Sequence, residues 1–188
     1  VPTIGEALRL AKNAIPQNAN NRKFTLLGDP CTRLAIPKYS IHTVAINGNP
    51  PGSFDTLKAL SEVTIQAEVR DENDMLLTSF NGIAIPSVFD KVSNLSTLAN
   101  DPNADIFTYQ AQQNLLFKGQ SSVNNGQFTF SFIVPKDINY AIGEGKLSYY
   151  ASPYTGISDA AGHDQSAIIG GTSANPIVDN EGPQVDVF

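Results

Sequence analysis

Ser121-Ser122-Val123-Asn124-Asn125-Gly126-Gln127-Phe128-Thr129-Phe130-Ser131-Phe132-Ile133-Val134 decides how this chain is read. Asn125-Gly126 is the preferred dipeptide for a two-residue hairpin turn, because both positions need positive φ. A hairpin closed there sets Val123 against Phe128, Ser121 against Phe130, Gly119 against Phe132 and Phe117 against Val134. Three phenylalanines then share one face opposite small residues, while Gln127, Thr129 and Ser131 point the other way. Period-two alternation of this kind belongs to a strand with one face in a core.

The same period recurs upstream. Val63, Ile65, Ala67 and Val69 alternate with Glu62, Thr64, Gln66, Glu68 and Arg70, a half-buried strand. Asp71-Glu72-Asn73-Asp74 follows as a turn, and Met75 to Phe80 and Ile83 to Phe89 are further expected strands. Pro86 places the latter at an edge or a bulge, since proline cannot donate to a ladder. Residues 90–105 read as a long loop. Leu147 to Ala151 and Ala167 to Ile169 supply two more strands. His42 is expected to share a strand face with Val44 and Ile46.

One helix is expected, at the start. Thr3 and Glu6 have the spacing of a capping box. Ile4, Leu8, Ala11 and Ile15 follow as one apolar stripe, and Pro16 ends the helix. A loop over Gln17 to Arg22 leads to a short strand, Phe24 to Leu27, and then to a turn, Gly28-Asp29-Pro30. The fold expected is mainly β: an antiparallel immunoglobulin-like β-sandwich with one N-terminal helix. The opening unit cannot bury its own stripe, and Gln184-Val185-Asp186-Val187-Phe188 is a strand-like stretch cut off as it begins. With Val1 rather than Met at the start, the expectation is an excised piece of a longer chain.

Composition narrows function. The net charge of −6 over 188 residues argues against a nucleic-acid binder, which needs a basic face. No apolar run approaches the ~20 residues of a membrane helix. A single cysteine excludes a disulfide framework and a cysteine-based zinc cluster. Cys31, His42 and His163 are the only nucleophile and base candidates, and Asp29 two residues before Cys31 disfavours a thiolate. Cys31 is therefore read as a buried structural thiol, with no catalytic residue and no cofactor expected. Asp71, Asp74, Asp101 and Asp105 are the acidic-loop residues that could offer oxygen ligands to calcium. None has EF-hand spacing, and Asp and Asn favour turns for backbone reasons. Asn94-Leu95-Ser96 is a glycosylation triplet.

Phe24-Thr25-Leu26-Leu27-Gly28-Asp29-Pro30-Cys31-Thr32-Arg33-Leu34-Ala35-Ile36-Pro37-Lys38-Tyr39 resembles the closing segment of gingipain-type cysteine peptidase domains. Leu60 to Ile65, Phe130 to Tyr140, Gly145 to Ala151 and Asp179 to Pro183 extend the likeness in order. Together they are similar to the outer-membrane signal peptidases (sortases) of the type IX secretion system. That family removes C-terminal sorting signals from secreted cargo and links the cargo to a surface lipopolysaccharide.

The resemblance implies that residues 1–38 are the tail of a catalytic domain and residues 39–178 an immunoglobulin-like domain. Residues 179–188 would be a linker and the start of a following domain. The family's catalytic His and Cys lie upstream of the closing helix, so no residue here inherits them. Cys31 stands where the family more often has a small residue. The implied role is a non-catalytic scaffold or docking region at the extracellular face of the bacterial outer membrane. Its implied partners are the upstream catalytic domain and secretion-system surface proteins. Self-association through Ile4, Leu8, Ala11 and Ile15 is a further expectation. The alternative class is a stand-alone surface adhesion or glycan-binding β-sandwich. Such modules present aromatic platforms, often Trp, and this chain has no Trp.

Overall fold

A computed structural model describes residues 2–15, 18 and 23–177. They divide into two compact units with the boundary between Ile36 and Pro37. Pro16, most of the Gln17–Arg22 loop and the whole 179–188 segment lie outside the described residues.

The first unit is built around helix α1, Ile4–Ala14. Thr3 caps it, its hydroxyl accepting from the Glu6 N–H at 3.3 Å. The box stays half closed, because the Glu6 carboxylate turns forward to take two bonds from Arg9, at 2.6 and 2.7 Å. Two more N–H groups of the first turn leave the helix: Ile4 donates to the Thr32 carbonyl at 2.8 Å and Gly5 to the Pro30 carbonyl at 3.0 Å. Donors that a helix start leaves unpaired are thus met by the chain just after the Gly28-Asp29-Pro30 turn. Gly5 permits the approach, since a Cβ there would stand 2.7 Å from the Pro30 Cβ. Asp29 shapes the turn by accepting from the Cys31 N–H at 2.9 Å and the Thr32 hydroxyl at 3.3 Å.

Two expectations for this unit fail. Phe24 to Leu27 is not a strand, for among the described residues it pairs with no other segment of the unit. Cys31 is exposed rather than buried.

Among the described residues the second unit carries thirteen strands: β1 Tyr39–Ile46, β2 Leu57–Ala59, β3 Glu62–Arg70, β4 Gly82–Phe89, β5 Ser93–Ser96, β6 Thr108–Ala111, β7 Leu115–Lys118, β8 Ser121–Val123, β9 Gln127–Ile133, β10 Gly143–Glu144, β11 Lys146–Pro153, β12 Ala160–Asp164 and β13 Ile168–Thr172. The main sheet runs β7-β4-β11-β12-β1-β3-β9, with β8 also on β4. A second sheet, β10-β13-β2, contributes Leu57, Ala59 and Ile169 to the same buried cluster as Val63, Ile65, Phe130 and Leu147. The result is a mainly β, immunoglobulin-like sandwich. Its pairings are antiparallel except β1 with β12 and β13 with β2.

The Asn125-Gly126 turn forms with φ of 51° and 77°. Its ladder does not extend as the spacing suggests. Only Asn124 and Gln127 bridge; β8 then leaves to pair with β4 through Val123–Gly82, and β9 pairs with β3 through Phe130–Ile65. The hairpin therefore joins the two ends of the rolled sheet. Ser121 spans the gap by donating its hydroxyl to the Thr129 carbonyl at 2.8 Å. The face assignment survives this change of partners, for Phe128, Phe130 and Phe132 are buried between exposed Gln127, Thr129, Ser131 and Ile133. Phe117 closes the seam from β7, its ring stacked on Phe132 at 4.8 Å and on Phe130 at 5.6 Å.

Pro86 sits inside the sheet path rather than at an edge. The Gly119 N–H donates to the Pro86 carbonyl at 3.1 Å, so the proline's missing donor faces the break between β7 and β8. His42 does not share a face with Ile46: an irregularity between Thr43 and Ala45 shifts the phase, leaving His42 exposed and Ile46 fully buried. Met75 to Phe80 is a turn region with one isolated bridge from Leu76 to Arg70. The Asp71 carboxylate holds that turn, accepting from the Asn73 and Met75 N–H groups at 2.8 and 3.0 Å. Residues 90–105 include β5, which forms a mostly exposed ribbon with β6, too polar for alternation to reveal it.

Candidate functional site

All the sequence's candidate chemistry in the second unit sits on its surface. His42 and His163, distant in sequence, line one shallow cleft with Thr43, Pro51, Asp164 and Gln165. The parallel pairing of β1 with β12 brings them there. His42 Nε2 lies 3.1 Å from the Ser40 hydroxyl and 3.5 Å from Asp74 Oδ1. Cys31 belongs to the first unit, residues 1–36, which contains no histidine.

The acidic-loop residues do different work, and only the Asp71 carboxylate is taken up by backbone donors. Backbone donors hold the Asp71 carboxyl below its usual range, Met75 contributing most and Asn73 next. Asp74, at φ 61°, takes Arg70 Nη1 at 3.1 and 3.2 Å. Asp101 receives the Ala104 N–H on its carbonyl at 2.9 Å, and with Asp105 it lines a shallow apolar hollow beside Phe107. Among the described residues no three His, Cys, Asp or Glu side chains converge as metal ligands.

Another cleft lies elsewhere, and no motif in the sequence marks it. Tyr39 opens β1 with its ring edge-on to Phe80, centroids 6.3 Å apart at 89°. Phe80 is buried, and the Pro153–Ser158 loop completes the walls with Leu77, Ser79 and Asn81. The Tyr154 N–H donates to the Asn81 carbonyl at 2.9 Å, and Asn81 Oδ1 accepts from the Asn125 N–H at 3.0 Å. The cleft is thus tied to the tight turn at Asn125-Gly126. Two large apolar side chains stand out on its rim, Tyr154 exposed and Ile157 fully so, among the polar Ser79, Asn81, Thr155 and Ser158. Exposed large apolar groups around a concave patch suit docking of a protein surface. Nothing in the cleft is a nucleophile paired with a base.

Tyr149 and Tyr150 divide between faces as alternation requires. Tyr149 is buried, and burial pushes its hydroxyl well above the ordinary phenol range while Thr43 Oγ1 lies 2.9 Å away. Tyr150 is half exposed and donates to Asp159 at 3.0 Å, an arrangement that also raises its pKa.

This fold matches part of a solved structure of known name. The chain is similar to PorU. It is 30% identical to dimeric latent PorU from Porphyromonas gingivalis, over 95% of this chain and 17% of that one, with a TM-score of 0.64. The present sequence therefore corresponds to a small share of the PorU chain, along nearly its own full length. Spo0M, a sporulation control protein from Bacillus subtilis, is 16% identical over 72% of this chain and 50% of its own, with a TM-score of 0.41. No protein-family model and no curated protein matches the sequence. Among the described residues no helix is long and apolar enough to cross a membrane.

Proposed function

We propose that this chain is a non-catalytic scaffold or docking region of a larger cell-surface peptidase of the gingipain type, one that processes C-terminal sorting signals in type IX secretion. The likeness to PorU along 95% of the chain carries the reading. The Gly-Asp-Pro turn and the segments that resemble type IX signal peptidases support it from sequence. The exposed thiol, in a unit without histidine, fits a region whose chemistry is done by another part of the parent. Residues 1–38 then belong to the tail of the catalytic domain, and the sandwich presents the Tyr154–Ile157 rim to a partner at the outer surface of the cell.

The test uses the full-length gene product in its own cell. Removing residues 39–177 is expected to abolish surface attachment of cargo. Undiminished processing and attachment without the sandwich would overturn the docking role.

A further inference from the structure

The sequence holds three Asn-Gly pairs, Asn47-Gly48, Asn81-Gly82 and Asn125-Gly126, and the fold treats them differently. Asn-Gly is the dipeptide in which a backbone amide most easily reaches the preceding side chain, because glycine puts no Cβ in the way. The Gly126 N–H is buried and donates to the Phe80 carbonyl at 2.8 Å. Asn81 is held through both side-chain ends, Nδ2 to the Ser79 carbonyl at 3.3 Å and Oδ1 from the Asn125 N–H. Gly82 is buried within β4 against the Ser152 carbonyl. Asn47-Gly48 is exposed: Gly48, at φ 78°, has nothing within 4 Å of where a Cβ would stand, and its N–H donates no bond among the described residues. Asn47 Oδ1 also accepts a backbone N–H, that of Thr64 at 2.9 Å, but its Nδ2, the group that must depart, makes no bond among the described residues, whereas Asn81 Nδ2 is held.

We propose that Asn47 is a site of spontaneous deamidation built into the end of β1, and that the fold protects Asn81 and Asn125 from the same reaction. The deprotonated Gly48 amide nitrogen attacks Asn47 Cγ, a C–N bond forms, and the Cγ–Nδ2 bond breaks with release of ammonia. Water then opens the cyclic imide at either carbonyl, leaving aspartate or isoaspartate. Isoaspartate inserts a methylene into the main chain beside fully buried Ile46 and disturbs its bridge to Asn49. The change therefore loosens one end of the β1–β3 ladder as the protein ages.

Incubation of the whole chain in mildly alkaline buffer, folded and in denaturant, followed by peptide mapping of all three sites, tests this. Unfolded, the three pairs should react at similar rates. Folded, Asn81 and Asn125 should slow by about tenfold or more, reacting only through local opening, while Asn47 stays within a few-fold of its unfolded rate. Gly48→Ala should slow Asn47 alone, and denaturation of that variant reports whether it had folded. Equal protection of all three sites, or faster reaction at Asn125 than at Asn47, would overturn the proposal.

Discussion

Lys91 Nζ lies 2.7 Å from Asp90 Oδ1, with the two side chains only 11% and 5% exposed. Around this pair the fold gathers distant chain: the Asn139 N–H and Asn114 Nδ2 donate to the other carboxylate oxygen at 3.3 and 3.4 Å. Gln112 Nε2 donates to the Asp90 carbonyl at 2.9 Å, and Lys91 Nζ to the Ile169 carbonyl at 3.3 Å. The pair pins the β5–β6 ribbon's base to the second sheet. Removing one partner leaves the other charge buried, so Asp90→Ala should cost about 3 kcal/mol. Replacing both with apolar residues should cost less than the two single losses summed, which denaturant titration of the three variants would measure.

The same pair sets an acid dependence. Burial opposes the Asp90 charge, but the Lys91 ammonium and the Lys91 and Asn139 N–H groups outweigh it and hold the carboxyl below its usual 3.8. A depressed carboxyl stabilises the fold above its unfolded value and loses that contribution as pH falls through the folded one. Stability measured from neutral pH downward should drop below about pH 4 in the native chain. In Asp90→Asn the drop should be shallower; identical profiles would exclude this carboxylate as a source.

The aromatic seam gives a prediction about faces. Phe130 and Phe132 are each 7% exposed and stack with Phe117. Truncating either to Ala should cost roughly 3–5 kcal/mol. Thr129→Ala, on the exposed face, should stay within about 1 kcal/mol. Equal responses of both faces in denaturant titration would contradict the burial described.

This strand also shows what the sequence makes legible. Alternation in Gln127–Ile133 is a local property, so the buried face could be read from spacing alone. The partner could not: the short β8 segment finds β4 across the sheet, and only the closed fold makes that choice. The shift at Thr43–Ala45 likewise erased a reading of His42 that strict period two would support. At the cleft, Tyr39, Asn81 and Ile157 come from three separate stretches, none with a motif. Free thiols are commonly buried, which is why composition alone points Cys31 to the interior; it lies exposed on a turn held by Asp29.

Gly5 offers a test of the first unit. Alanine is the better helix former by roughly 1 kcal/mol. Even so, Gly5→Ala should loosen the contact with residues 30–32, since its Cβ would press on Pro30. Amide exchange at Ile4 and at position 5 should accelerate while β9 amides are unchanged. Unaltered protection at those two amides would mean the close approach is not required.

If this chain is a non-catalytic region of a larger peptidase, as proposed, then incubated alone with a peptide ester substrate it should give no hydrolysis above buffer. Cys31 should likewise react with thiol-directed active-site inhibitors no faster than an ordinary exposed thiol. Hydrolysis that disappears in Cys31→Ala would overturn the non-catalytic reading.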